Sequence, residues 1–255
     1  MHNAAFAASG LDYVYVPMDV RPEDLPEAVA GLGALGFRGF NVTMPHKEMI
    51  LPLLDEVDGA AGVSGAVNTV TIEDHILRGT NTDISGFVEA CGEAGVSFTG
   101  ARVLLVGAGG AAAAISVAAL GEGASELRIL NRSRWRAVNL HDRLREAYPG
   151  AAVSVHDNGN PQRAALGADV IVNATYLGMK DDDPLPVPAS CLETNAVVCD
   201  VVYRLDGDTG FVRLARERGL RTVSGGRMLL YQGVQAQRIW TGREPDVRAM
   251  SRALT

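Results

Sequence analysis

The 255-residue sequence predicts a two-domain α/β protein, with a doubly wound parallel sheet in one domain and a smaller α/β unit in the other. Three observations carry that prediction. Strand and helix patterns alternate along nearly the whole chain. Several strands are unbroken apolar runs, as expected of parallel strands buried on both faces. One of these runs passes directly into a glycine-rich turn that opens a helix.

In the first third, Tyr13–Met18 reads as a strand, Pro22 to Leu35 as a helix opened by acidic residues, and Gly39–Thr43 as a second strand. A helix is expected from Lys47 to Asp58, then a strand over Ala66–Ile72 and an extended segment over Gly79–Asp83. These elements are too few for a complete nucleotide-binding domain. From Gly100 the pattern becomes a series of strand–helix units. Strands are predicted at Arg102–Val106, Glu126–Asn131, Ala151–His156, Ala168–Asn173 and Ala196–Val201. Helices are predicted from the glycine turn to Leu120, over Trp135–Tyr148, over Gly210–Glu217, and from about Met228 to Gly242. Right-handed crossovers between such units build a doubly wound sheet. The expected division is therefore residues 1–85, completed by 228–255, for a substrate-binding domain, and 86–227 for a cofactor domain.

Composition narrows the function classes. A hydrophobic fraction of 47% with 21% charged residues belongs to an ordinary globular protein, and 29 glycines in 255 residues predict many tight turns. The net charge of −7 argues against nucleic acid or an anionic membrane as partner, because both are bound through basic surfaces. No apolar run reaches the roughly 18 residues of a membrane helix. Cys91, Cys191 and Cys199 are spaced neither as a disulfide framework nor as a zinc site, so no metal is expected and a reducing cytoplasm is the simplest compartment.

The turn Gly107-Ala108-Gly109-Gly110-Ala111-Ala112 fits a dinucleotide fingerprint of Rossmann type. Gly107 permits the tight turn, Gly109 admits the pyrophosphate to the backbone, and Ala112 lets the helix pack close to the sheet. A glycine-rich turn without a ligand is the ordinary alternative. The next strand ends Asn131-Arg132-Ser133-Arg134, where NAD enzymes carry a carboxylate for the ribose 2′-hydroxyl. Arg132, Ser133, Arg134 and Arg136 instead suit a 2′-phosphate, which points to NADP(H). A solvated basic turn is the competing reading.

Lys47 is expected at a helix N-terminus, where the macrodipole opposes a cation and a lowered pKa would suit proton transfer. For an isolated lysine, the ordinary reading is a side chain reaching into water. His46 is read as structural. Asp83 lies in the polar cluster Gly79–Asp83 at the domain junction, a preferred place for ligands. It can pair with Lys47 or cap a helix beginning near Gly86, and spacing alone leaves both open. Asn68 offers hydrogen bonds to substrate hydroxyls.

Together these segments resemble the quinate/shikimate dehydrogenase family over essentially the whole chain. The resemblance lies in His2–Phe6, Asn41-Val42-Thr43-x-Pro45-His46-Lys47, Gly65–Thr69, Asn81–Asp83, Gly107–Ala111, Asn131–Ser133, Asn173–Thr175, Gly178-Met179, Asp200–Tyr203 and Gly226-x-Met228-Leu229-x-x-Gln232. It implies NADPH-dependent, reversible reduction of 3-dehydroshikimate to shikimate in chorismate biosynthesis, with Lys47 and Asp83 as the catalytic pair. It also implies that Thr43, Asn68, Tyr203 and Gln232 hold substrate. The cofactor would be held by Gly107, Ala108, Gly109, Gly110, Ala111, Asn131, Arg132, Ser133, Arg136, Asn173, Ala174, Thr175 and Gly226. A small-molecule partner and a monomer or homodimer are expected.

Some features depart from the family pattern. The resemblance implies a first strand and a Ser-x-Ser turn ahead of His2, whereas Met1 stands directly before it. Without them, neighbouring strand edges would be unpaired and two hydrogen bonds to the substrate carboxylate would be forgone, at about 1.5–3 kcal/mol each. Weak turnover is expected if the protein truly lacks that segment, and a start assigned too late or a trimmed chain are the alternatives. Arg204-Leu205, Gly233 and Tyr176 also differ from the family, and whether they turn specificity toward quinate or an amino-substituted substrate is not decided by the sequence. The competing functions are therefore a quinate or broad-specificity quinate/shikimate dehydrogenase and a non-catalytic, metabolite-binding paralogue.

Overall fold

Two sheets meet along a pair of packed helices in the computed structural model, which describes residues 1–193, 195–204 and 207–254. The smaller sheet contains β1 (Gly39–Asn41), β2 (Glu56–Val57), β3 (Thr69–Glu73) and β4 (Ile76–Thr80) in the order β1-β3-β4-β2. β3 pairs antiparallel with β1 and β4, while β2 runs parallel to β4. Asp74 and His75 close the β3–β4 hairpin with φ of +50° and +66°, the left-handed pair that matches strand twist.

The helices beside this sheet are α1 (His2–Ala8), α2 (Leu25–Ala34) and α3 (Gly59–Ser64). Val29, Ile50, Val67 and Val70 form the core of this half. Tyr13–Met18 is not a strand. A strand needs a neighbour to complete its ladder, and among the described residues the backbone of this segment finds only a side chain: the Asn3 amide accepts from Tyr15 N at 2.6 Å and donates to Tyr15 O at 2.8 Å. Its apolar side chains Tyr13, Val14, Val16 and Met18 are exposed.

The larger sheet is entirely parallel: β5 (Arg102–Val106), β6 (Glu126–Leu130), β7 (Ala152–His156), β8 (Val170–Asn173), β9 (Val197–Asp200) and β10 (Thr222–Val223). Their order, β10-β9-β8-β5-β6-β7, reverses direction between β5 and β8. In sheets of this kind the ligand crevice opens beyond the carboxyl ends of the strands at that switch point. The turns after β5, β6, β8 and β9 therefore converge on one edge.

Pleating sends Leu105 and Leu127 to one face and Leu104 and Ile171 to the other, where separate helix layers cover them. The layers are built from α4 (Thr82–Glu93), α5 (Gly110–Gly121), α6 (Arg134–Ala147), α7 (Pro161–Ala165) and α8 (Gly210–Glu217), with α9 (Gly225–Thr241) and α10 (Val247–Arg252) closing the chain. Every residue of α5 from Ala112 to Leu120 is buried, so this helix is apolar all round. α4 and α9 join the two sheets. A Cβ on Gly86 of α4 would stand 2.6 Å from the Gln232 backbone nitrogen of α9, so only glycine allows this crossing. Among the described residues, no helix is long and apolar enough to cross a membrane.

Candidate active site

Lys47 projects from a run of turns following β1, not from a helix N-terminus. The predicted 47–58 helix is replaced by turns, a 3-10 turn at Leu51–Leu53, and β2. His46 N donates to Thr43 O, and Ile50 N to His46 O. Lys47 therefore opens no helix of its own, and no macrodipole from such a helix bears on it. What holds the lysine is a carboxylate: Lys47 Nζ donates to Asp83 Oδ2 at 2.6 Å, with the two side chains 20% and 8% exposed. His46 is structural, its Nε2 donating to Val20 O at 2.9 Å.

Asp83 does not cap a helix starting near Gly86. α4 begins at Thr82 with Asn81 as its N-cap, whose side chain accepts from Asp83 N at 3.1 Å. Asp83 thus lies in the first turn, where a helix favours negative charge. Its second oxygen accepts from Asn68 Nδ2 at 2.8 Å. Asn68 is buried, and its Oδ1 accepts from Thr82 N at 2.7 Å, Thr69 Oγ1 at 2.9 Å and Thr82 Oγ1 at 3.1 Å. With one N–H on Asp83 and its carbonyl fully used, Asn68 serves the carboxylate first. Asn81 Nδ2 donates in turn to Ala66 O at 2.9 Å. The lysine–carboxylate pair therefore rests on a satisfied polar network, the kind that fixes side chains in place.

Thr43, Tyr203 and Gln232 differ in what holds them. Thr43 is exposed and its hydroxyl has no hydrogen-bond partner among the described residues. Gln232 accepts from Thr82 Oγ1 at 3.5 Å and donates to Leu229 O. Tyr203 OH donates to Leu254 O at 3.4 Å, and its ring packs 3.6 Å from where a Cβ on Gly226 would stand. Leu205, one of the departures from the family pattern, lies outside the described residues. Gly233 leaves room for the methyl groups of Met1 and Met250, so this departure serves helix packing. Tyr176 is 54% exposed.

The glycine turn faces the lysine. A Cβ on Gly110 would lie 3.8 Å from Lys47 Cβ and 3.5 Å from Ala66 Cβ. Gly107, at φ +125°, is required twice over, because a side chain there would be strained and would meet Ala174 O at 2.7 Å. Gly109 caps α5 with nothing within 4 Å of its missing Cβ, and the helix's first turn, with Gly110 and Ala111, carries N–H groups that have no intrahelical acceptor. Ala108 is half-buried beside the same turn.

After β8, Asn173 ties down the facing loop. Its Nδ2 donates to Asp200 Oδ1 at 2.9 Å and to Leu177 O at 3.0 Å, while its Oδ1 accepts from Thr175 N and Oγ1. Asp200 also accepts from Thr209 Oγ1 at 2.6 Å and Val202 N at 3.0 Å, and burial pushes its pKa up to about 6. Sequence reasoning gives Asp200 no role of its own, although an apolar strand ending in a carboxylate is itself a signal. It also passes over Gly225, where a Cβ would meet Val202 O at 2.4 Å; Gly226 beside it is not so constrained.

After β6, Asn131 Nδ2 donates to Ser133 O at 2.8 Å and shapes the turn into α6. The Ser133 hydroxyl caps nothing, and the first turn of α6 contains no acidic residue. Arg132, Arg134 and Arg136 make neither a hydrogen bond nor an ion pair to any described residue. Unpaired guanidinium groups around an uncapped helix N-terminus fit a phosphate group, and the open Gly109 turn fits a pyrophosphate. The residues present thus suit NADP(H).

Comparison with known proteins agrees with this geometry. The family model described as shikimate dehydrogenase substrate binding domain matches residues 1–70, the shikimate/quinate 5-dehydrogenase model matches 90–178, and the shikimate 5′-dehydrogenase C-terminal domain matches 225–255. A curated shikimate dehydrogenase (NADP(+)) of Rubrobacter xylanophilus is 59% identical over 256 residues, covering 100% of this chain and 89% of its own length. The chain belongs to the shikimate dehydrogenase family. Among solved shikimate dehydrogenases, the Listeria monocytogenes protein in complex with shikimate and NAD superposes with a TM-score of 0.91 at 35% identity, covering 100% of this chain and 90% of that one. The Thermus thermophilus protein in complex with NADP(H) and shikimate gives 0.88 at 35% identity, covering 99% and 91%.

Proposed function

We propose that the chain is an NADP-dependent shikimate dehydrogenase that reversibly reduces 3-dehydroshikimate to shikimate, with residues 1–85 and 228–255 holding substrate and 86–227 holding cofactor. The observation that carries the reading is the Lys47–Asp83 pair, closed at 2.6 Å, with the stem of Lys47 lying against the glycine turn at Gly110. NADPH supplies the hydride in the reductive direction. Lys47 supplies the proton that completes the new hydroxyl and takes it back in the oxidative direction. An ammonium has three donors, so the bond to Asp83 leaves two for the substrate oxygen. Asp83 orients that ammonium, and Asn68 orients Asp83. Thr43, Gln232 and Tyr203 are assigned to the substrate's polar groups. The unpaired arginines after β6 favour NADP over NAD. Residence in the cytoplasm and a monomeric or homodimeric state belong to the same proposal.

The test follows NADP reduction with shikimate and with quinate. Turnover of shikimate that exceeds turnover of quinate is the expected result. Equal use of quinate with NAD would assign a broad-specificity enzyme instead, and binding of shikimate without turnover would assign a metabolite sensor.

A further inference from the structure

Trp135 is 64% exposed, an unusual position for an indole in a domain whose other large aromatic side chains are mostly sheltered. It occupies the first turn of α6, between Arg134 and Arg136, on the helix whose N-terminus lacks both a side-chain cap and an acidic residue. Neighbouring residues on a helix ordinarily point in different directions. Here the Arg136 guanidinium nevertheless lies over the Trp135 ring, 5.4 Å from its centroid. No carboxylate holds Arg136, so the indole face is its one partner among the described residues. A stacked guanidinium keeps its N–H edge free for an anion, whereas an ion pair would consume it.

We infer that Trp135 is a positioning residue for cofactor choice: by stacking under Arg136 it holds that guanidinium ready for the 2′-phosphate of NADP(H). The inference rests on the NADP reading above. It predicts an effect specific to the 2′-phosphate, because Trp135 acts through Arg136 and the phosphate is the one group that distinguishes NADP from NAD.

The experiment compares wild type, Trp135→Ala and Trp135→Phe with shikimate as substrate and either NADP or NAD as oxidant. A cation–π contact of this exposure corresponds to about a two- to fivefold rise in KM for NADP on Trp135→Ala. kcat and the NAD parameters should be unchanged, and Trp135→Phe should restore most of the loss. In the wild type, the other tryptophan, Trp240, is buried, so tryptophan emission accessible to acrylamide reports Trp135. That emission should respond to adenosine 2′,5′-bisphosphate and not to adenosine 5′-monophosphate. An unchanged NADP KM, an equal rise for both cofactors, or an equal fluorescence response to both nucleotides overturns the inference. If the wild type discriminates between NADP and NAD and Trp135→Ala keeps the same ratio, the inference alone fails. If the wild type does not discriminate at all, the NADP reading fails with it.

Discussion

The two sides of the cleft are built on opposite principles. On the substrate side, Lys47, Asp83, Asn68, Thr82 and Asn81 are joined by hydrogen bonds of 2.6–3.1 Å, and most of their polar atoms are already engaged within the protein. On the cofactor side, Arg132, Arg134 and the Ser133 hydroxyl have no protein partner among the described residues, and the first turn of α5 carries N–H groups that have no intrahelical acceptor. Groups that must act at one atom are fixed beforehand by neighbours. Groups that must grip a polyanion are left unsatisfied, so that the ligand completes them.

This contrast is sharpest at Lys47. Lys47→Ala should lower kcat by about 10²–10⁴ while leaving the KM for NADP nearly unchanged, as steady-state kinetics would report. A comparable rise in the NADP KM would mean that the two sides are not separable.

Arg132→Ala should do the reverse. Loss of one charged hydrogen bond, worth about 1.5–3 kcal/mol, should cut kcat/KM for NADP by roughly ten- to a hundredfold and spare NAD. Wild-type discrimination in this variant would move the 2′-phosphate elsewhere.

Asn68→Ala probes the fixed side without touching the lysine. It removes a donor from Asp83 and the acceptor of Thr82 N, so stability should fall by about 1–3 kcal/mol, read from denaturant unfolding. An unchanged midpoint would show that water replaces the amide and that the network is looser than its geometry implies.

The smallest effect is a cancellation in the pH dependence of stability. Asp200 has a pKa raised from 3.8 to about 6, so its contribution is full below pH 3.8 and is lost as pH rises towards 6. His2 is lowered from 6.5 to about 4 by burial and by the nearby N-terminal charge. Its contribution is full above pH 6.5 and is lost as pH falls towards 4. Between about pH 4 and 6 the two slopes oppose each other, and the wild-type Tm should change little on their account. Asp200→Asn removes one slope and should expose an acid-side loss of Tm; a flat profile in that variant would remove His2 from the account.

Much of this is legible in order along the chain. Buried parallel strands announce themselves as apolar runs, so the sequence places β5, β6, β8 and β9 within about two residues, and α8 with both ends correct. The glycine turn is legible because steric demand leaves few alternatives at Gly107. Legibility fails where a partner distant in sequence decides the conformation. Tyr13–Met18 is an apolar run rich in Tyr and Val that reads as a strand, yet an Asn3 side chain is its main-chain partner. Lys47 reads as opening a helix, yet that segment closes as turns before β2, and its Val67 N to Lys47 O bond anchors it to the chain entering β3.

The sequence by itself determined the class of fold, the dinucleotide turn and the cationic corner after β6, because period, glycine and charge are local properties. Residue spacing left the Lys47–Asp83 pairing open and only the family resemblance implied it; the tertiary structure supplied its 2.6 Å contact, the support of the carboxylate by Asn68, and the tie between Asp200 and the loop after β8. Those contacts join residues 15 to 36 positions apart, and only the folding of the turns after β1 onto the start of α4 and the pairing of β8 with β9 bring them together.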